Sequence, residues 1–207
     1  MSIGVESVPQ VAEAHGRDPS VPDAGSHAIA SAPWGTIPPD VLTRTLIALC
    51  RTTPLGRGRM RARVNAYLQR RNPAGVDCRL YGQPMRAYFG DNRCEWKAVL
   101  NPALFDPVER AQIAEALDKP AAVMLDIGAN VGIHALAAAA TARPDARIIA
   151  FEPHPETYRR LAFNLSQNSF RGFTALPVAL GAAEGVLHLA KVDLSLSSLI
   201  DGGDGPA

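Results

Sequence analysis

The sequence predicts an α/β fold, a parallel sheet with helices over its faces, and three observations predict it. Strand-like apolar runs alternate with helix-like segments over 123–178. A small-residue bend, Gly128-Ala-Asn-Val-Gly132, follows the first run. One acid, Asp126, closes that run, and another, Glu152, follows the second, Arg147-Ile-Ile-Ala-Phe151.

Ahead of that series the chain reads in three parts. Residues 1–39 carry Pro, Gly, Ser and Ala with little periodicity and read as a disordered leader. Residues 40–76 read as a basic helical extension. Asp40 caps a helix from Val41 to about Cys50, Pro54-Leu-Gly-Arg-Gly breaks it, and a second helix runs from about Met60 to Gln69. The stretch 41–76 holds eight arginines and no acid, which reads either as a solvated helix pair or as a face for an anionic surface. Residues 77–122 read as a hairpin and a helix. Leu80, Met85, Ala87 and Phe89 alternate around a turn at Gly82-Gln83-Pro84, and Asp106-Pro107 starts a helix ended by Lys119-Pro120.

From 123 onward the period switches. Strand 123–127, helix 131–142, strand 147–151, helix 155–167 and strand 173–178 form a βαβαβ series, with a further strand at Gly185–Lys191. Right-handed crossovers place the second strand beside the first and the third beyond it.

Composition sets outer limits. At 47% apolar and 20% charged, most of the chain can bury a core, and a net charge of +1 gives no general pull toward nucleic acid. Cys50, Cys78 and Cys94 match neither a metal spacing nor an even disulfide framework, so no metal is expected. Three spare thiols and the lack of a signal-like or membrane-length apolar run predict a cytoplasmic protein.

In open α/β sheets ligands bind beyond the carboxyl ends of the strands, where Asp126 and the 128–132 bend fall. Gly128 and Gly132 lack Cβ and can take positive φ, and the following helix offers free N–H groups. Glu152, one strand over, can accept both hydroxyls of a ribose. A dinucleotide fold wants Gly-x-Gly-x-x-Gly, with the acid about 20 residues later. Here an acid precedes the first glycine and would repel a pyrophosphate. A cofactor with an ammonium and a sulfonium meets no such repulsion, so S-adenosyl-L-methionine is favoured over NAD. Packing alone also explains a glycine bend, but not the two acids with it. His134 and His154 lie near this site as candidate bases. Asn164 and Asn168 are expected to fix a helix end. Trp96 with Glu95 either covers the site or packs.

Leu125-Asp-Ile-Gly-Ala-Asn-Val-Gly132, Ala150-Phe-Glu-Pro-His-Pro155, Leu161-Ala-Phe-Asn-Leu-Ser-Gln-Asn168, Ala179-Leu-Gly181 and Gly185 together resemble the FkbM family of S-adenosylmethionine-dependent methyltransferases. The resemblance covers roughly residues 75–207 and is densest over 123–200. It implies a Rossmann-like methyltransferase sheet and O-methylation of a hydroxyl on a small-molecule or glycan acceptor of sugar, polysaccharide or polyketide type. It also implies that Asp126, Gly128, Ala129, Asn130 and Gly132 line the methionine half of the cofactor, that Glu152 holds the ribose with Pro153 beside it, and that 179–180 lie toward the adenine.

The family's Lys-Ile-Asp-x-Glu-Gly type of run on a fourth strand is missing from this chain, which ends about 80 residues after Asp126. The expectation is a sheet truncated after its third to fourth strand. A shortened reading frame, a fragment or a half-domain completed by another chain would each give that, the first two being favoured, and the chain alone is expected to turn over little. Residues 123–207 are then the N-terminal part of a methyltransferase domain. Two other functions stay open: a nucleotide- or NAD-binding domain, and a non-catalytic interaction module.

Overall fold

The computed structural model describes residues 32–90, 92–183, 185, 188–189 and 199–200. Two helices come first, α1 (Val41–Thr52) and α2 (Gly58–Arg71). The Asp40 side chain accepts from Thr43 N at 2.7 Å and so starts α1. Pro54, in a 3₁₀ turn over Pro54–Gly56, stops it.

The hairpin forms from β1 (Val76–Leu80) and β2 (Gln83–Ala87), paired from Val76↔Ala87 to Leu80↔Gln83. Its turn is Tyr81-Gly82, at φ 51° and 81°, one residue earlier than the sequence pattern placed it. Two left-handed residues make the tight primed turn whose twist suits a hairpin. Pro84 can then lie within the strand, because the edge of a two-stranded ribbon needs no N–H there.

Helix α3 (Arg93–Leu100), which the sequence reading left out, follows, and then α4 (Pro107–Leu117). Asp106 precedes α4 but makes no side-chain cap; it sits at φ 41° with its carboxylate turned to His134. Helices α1, α2 and α3 pack on one another, and Arg51 of α1 donates to Val99 O and Arg79 O.

The parallel sheet has the predicted order, β3 (Val123–Ile127), β4 (Arg147–Phe151) and β5 (Phe173–Leu176), with Asp126 beside Ala150. Helices α5 (Ile133–Ala139) and α6 (Pro155–Ser166) are the crossovers. The expected strand at 185–191 lies partly outside the described residues. His188–Leu189 (β6) pairs antiparallel with Leu199–Ile200 (β7), apart from the main sheet.

Only one face of the parallel sheet is well covered. Ile148, Ala150 and Leu136 are buried, as is Leu161 of α6. On the other face Leu125 is 55% and Ile127 is 62% exposed. The prediction of helices over both faces therefore holds for one face among the described residues.

The hairpin is the hinge of the molecule's packing. It rests on α5 and α6 of the sheet layer and on α3 of the helical layer. Arg86 and Asp77, both about 1% exposed in their side chains, face each other at its centre, with Arg86 Nε 2.7 Å from Asp77 Oδ1. The Arg86 guanidinium also covers the Phe163 ring at 4.4 Å and donates to Ala32 O and Pro33 O. Asp77 accepts from the backbone N–H groups of Gly35 (2.7 Å) and Ile37 (3.1 Å). Trp34 donates its indole N–H to Met85 O. Residues 32–37, read from sequence as part of a disordered leader, are therefore an ordered strap across the hairpin; residues 1–31 of that leader lie outside the described residues.

Candidate functional site

The bend after β3 is built by three backbone–backbone bonds and one backbone bond to a side chain. Gly128 N and Ala129 N both donate to Phe151 O at 2.9 Å, which folds the bend over the end of β4. Asn130 takes a left-handed φ of 53°, and its N–H then points at Glu152, reaching Oε2 at 2.9 Å. Gly132 N closes on Ala129 O at 2.9 Å, and α5 starts from Gly132.

The two glycines do different work. A Cβ on Gly132 would come within 2.9 Å of Leu161 Cδ1, and its φ is 92°, so this glycine lets α6 pack against the helix start. A Cβ on Gly128 would meet nothing within 4 Å, so its φ of 75° is the constraint there and the space above it is open. Ala129 is buried beneath the bend.

Glu152 is 8% exposed and both its oxygens are held by main chain. Oε2 takes the Asn130 N–H, and Oε1 takes the His154 N–H at 2.9 Å. Pro153 has no N–H of its own, so the second donor comes from one residue further on. A carboxylate has about four acceptor sites, so each oxygen keeps one for a ligand hydroxyl.

Asp126 is the more unusual acid. It is 9% exposed, and its Oδ2 is buried with no hydrogen-bond partner. Burial pushes its carboxyl above the usual carboxylate range, and the nearby Glu152 charge pushes the same way. His134 and a hydrogen bond from the Ala135 N–H, in the first turn of α5, work against that rise. The two acids thus feel each other at the carboxyl ends of β3 and β4. A buried carboxylate oxygen without a donor is rare and costly, and it is where a cationic group would be bound.

His134, a candidate base from sequence, places Nε2 3.3 Å from Asp106 Oδ2, with its ring 5.9 Å from that of Phe105. His154 is instead the N-cap of α6: its Nδ1 accepts from Thr157 N at 3.4 Å and lies 3.2 Å from the Thr157 hydroxyl. Its ring is occupied in starting a helix. Trp96 and Glu95 both serve packing. Trp96 lies under Arg61 of α2, and buried Glu95 accepts from Tyr88 N at 2.8 Å and faces Arg160 of α6.

Two asparagines matter more than their sequence positions suggested. Asn92 caps α3 by accepting from Glu95 N at 3.1 Å, and its amide also donates to Asn130 Oδ1. That oxygen accepts from Val131 N as well, so Asn130 is clamped in the conformation that aims its N–H at Glu152. Asn164, fully buried, accepts from Arg86 N at 2.9 Å and donates to Val131 O at 3.0 Å. It joins hairpin, helix and bend, whereas sequence placed it as a helix end-piece. Asn168 does close the end of α6 on Asn164 O, and reaches Pro84 O at 3.2 Å. The Asn92-x-x-Glu95 spacing was a legible cap signal; the reach of Asn92 to Asn130 was not.

Two clefts of about 290 Å³ lie elsewhere. One sits between the end of α6 and β5, beside Phe170 and Phe173, and the other between α4 and α5, beside Tyr81 and Arg110. Neither is lined by Asp126 or Glu152, so both lie apart from the two buried acids.

No family model and no curated protein matches this chain. Among solved structures it is similar to the precorrin-6y C5,15-methyltransferase of Geobacter metallireducens GS-15, at 31% identity over 37% of this chain, with a TM-score of 0.30. The match covers 40% of that chain. At that TM-score the likeness supports no conclusion about this chain, whose reading rests on its own residues.

Proposed function

We propose that the crevice at the ends of β3 and β4 binds S-adenosylmethionine and that the chain belongs to a methyltransferase acting on a hydroxyl of a small molecule or glycan. The observation that carries this is the pair of buried acids, one of them with an oxygen lacking any donor. An ammonium fits Asp126, since it brings both a charge and the missing donors. A ribose diol fits Glu152, whose oxygens are fixed by Asn130 N and His154 N yet keep free acceptor sites. Gly128 leaves room above the bend for the chain between them.

Bound there, the cofactor supplies a methyl group activated by a sulfonium. The work of this chain is positional. Asp126 neutralises the ammonium and fixes that end; Glu152 fixes the sugar end, one strand away. Two fixed ends orient what lies between, which turns an encounter into an aligned displacement. The alternative of a dinucleotide meets Asp126 with like charge.

Calorimetry with S-adenosylhomocysteine tests the proposal, with NADH as the competing titrant. Binding of the first and not the second is expected. Asp126→Asn and Glu152→Gln are each expected to weaken it at least ~10-fold, since hydrogen bonds to charged groups contribute about 1.5–3 kcal/mol. Saturation at ~100 times Kd is expected to stabilise the fold by about 2.7 kcal/mol. Binding that survives both substitutions would move the site elsewhere.

A further inference from the structure

The charge of this chain is unevenly distributed. Eight of its 21 basic residues and none of its 20 acids lie in 41–76, so that stretch carries +8 and the remainder −7. Helices α1 and α2 place much of this on the surface. Arg44, Arg57, Arg59, Arg63 and Arg70 are exposed, and none of them has an acidic partner among the described residues. Arg51, Arg61 and Arg71 are used internally, on Val99 O, the Trp96 ring and Asp40.

On α2 the arrangement is ordered. Residues three, four and seven apart share a helix face. Arg59, Arg63 and Arg70 follow that spacing and form one stripe, while Asn65 and Leu68 form the buried one. Met60 and Tyr67, seven apart, form a second exposed stripe alongside, at 45% and 38% exposure. Helix α1 adds Leu42 and Leu49, also seven apart, at 43% and 42%, and Val41 at 77%. Exposed apolar side chains beside unpaired arginines are out of place on a surface that meets only water.

We propose that the α1–α2 surface docks on an anionic lipid membrane, lying in its interface. Guanidinium groups fit headgroup phosphates, and Met60, Tyr67, Leu42 and Leu49 fit the acyl boundary just beneath. A nucleic acid would match the arginines but leave the apolar stripe without a role. Among the described residues no helix is long and apolar enough to cross a membrane, so contact is peripheral. The acidic remainder of the chain orients the molecule, because its −7 is repelled by the surface that attracts +8. The proposal does not depend on which cofactor the crevice takes.

The test is co-sedimentation of the full chain with vesicles of phosphatidylcholine alone or with phosphatidylserine, alongside a duplex oligonucleotide at equal phosphate. Binding is expected only to the anionic vesicles, falling steeply between low and high salt. Each arginine near such a surface contributes roughly a fivefold factor, so Arg59→Gln/Arg63→Gln/Arg70→Gln is expected to lose on the order of 100-fold. Met60→Ser/Tyr67→Ser keeps every charge and is also expected to weaken vesicle binding. Unchanged far-UV circular dichroism verifies that these exposed changes leave the fold intact, and the salt titration needs no variant. Absence of vesicle binding at low salt, tighter binding to the oligonucleotide, or indifference to Met60→Ser/Tyr67→Ser would each overturn the proposal.

Discussion

At the scale of single residues, Asp126 is a buried carboxyl whose charge works against stability. Its carboxyl is buried, one oxygen lacks a donor, and burial raises its pKa above 3.8. A folded-state value above the unfolded one gives stability that is fully present below about pH 3.8 and is lost as pH rises through the folded value. At neutral pH the ionised carboxylate therefore costs the fold free energy. Asp126→Asn keeps the size of the side chain and removes the charge. Its Tm is expected to exceed that of the parent at pH 7, with roughly 1–3 kcal/mol at stake, and the gap is expected to close toward pH 4. The same change is expected to weaken S-adenosylhomocysteine. A variant that loses both stability and binding would mean that Asp126 supports the fold rather than a ligand. Asp126 and Glu152 were legible in the sequence because their partners are local, a bend and a strand end. Asn92 was not legible as a partner of Asn130, because that contact spans 38 positions and depends on how α3 docks.

At the scale of elements, the βαβαβ series was legible because its hydrophobic period switches at 123, α5 begins after Gly132 and α6 begins at Pro155. Helix α3 was not, since its buried residues are the charged Glu95 together with Ala98, Val99 and Leu100, and Arg93 and Lys97 interrupt the short apolar pattern further. The strap at 32–37 was illegible for a different reason. Its order comes from Asp77 and Arg86, 40 or more residues away, which accept from and donate to its backbone. Nothing in Pro33-Trp-Gly-Thr36 itself encodes that. Asp77→Ala would leave the Arg86 guanidinium buried without its carboxylate, and would strip the N–H groups of Gly35 and Ile37 of their acceptor. Breaking a buried pair from one side costs about 3–5 kcal/mol. The unfolding free energy from urea titration is expected to fall by that much. Replacing both partners by apolar residues, as in Asp77→Val/Arg86→Met, is expected to cost less than the single change. A loss within ~0.5 kcal/mol for Asp77→Ala would show that the strap does not depend on the Asp77 carboxylate.

At the scale of the whole molecule, two surfaces of opposite character lie apart in the chain. The α1–α2 surface is basic with an apolar stripe. The open face of the parallel sheet is apolar: Val123, Leu125 and Ile127 alternate along β3 at 49%, 55% and 62% exposure. Their register partners Arg147, Ile149 and Phe151 on β4 share that face. A strand's alternate residues point the same way, so the bare face is one continuous patch rather than scattered side chains. The sequence showed why it arises. An all-apolar run such as Val123-Met-Leu reads as a strand meant for burial on both faces, yet α5 and α6 both follow right-handed crossovers that bring them to the same side of an unreversed strand order. A hydrophobic dye such as ANS is therefore expected to bind the native chain at neutral pH. Leu125→Glu/Ile127→Glu is expected to abolish most of that signal while leaving the far-UV spectrum unchanged and the unfolding free energy within ~0.5 kcal/mol, because exposed substitutions away from packed groups cost little. If the double change instead unfolds the chain, the face is covered in solution and the sheet has a partner on its second side.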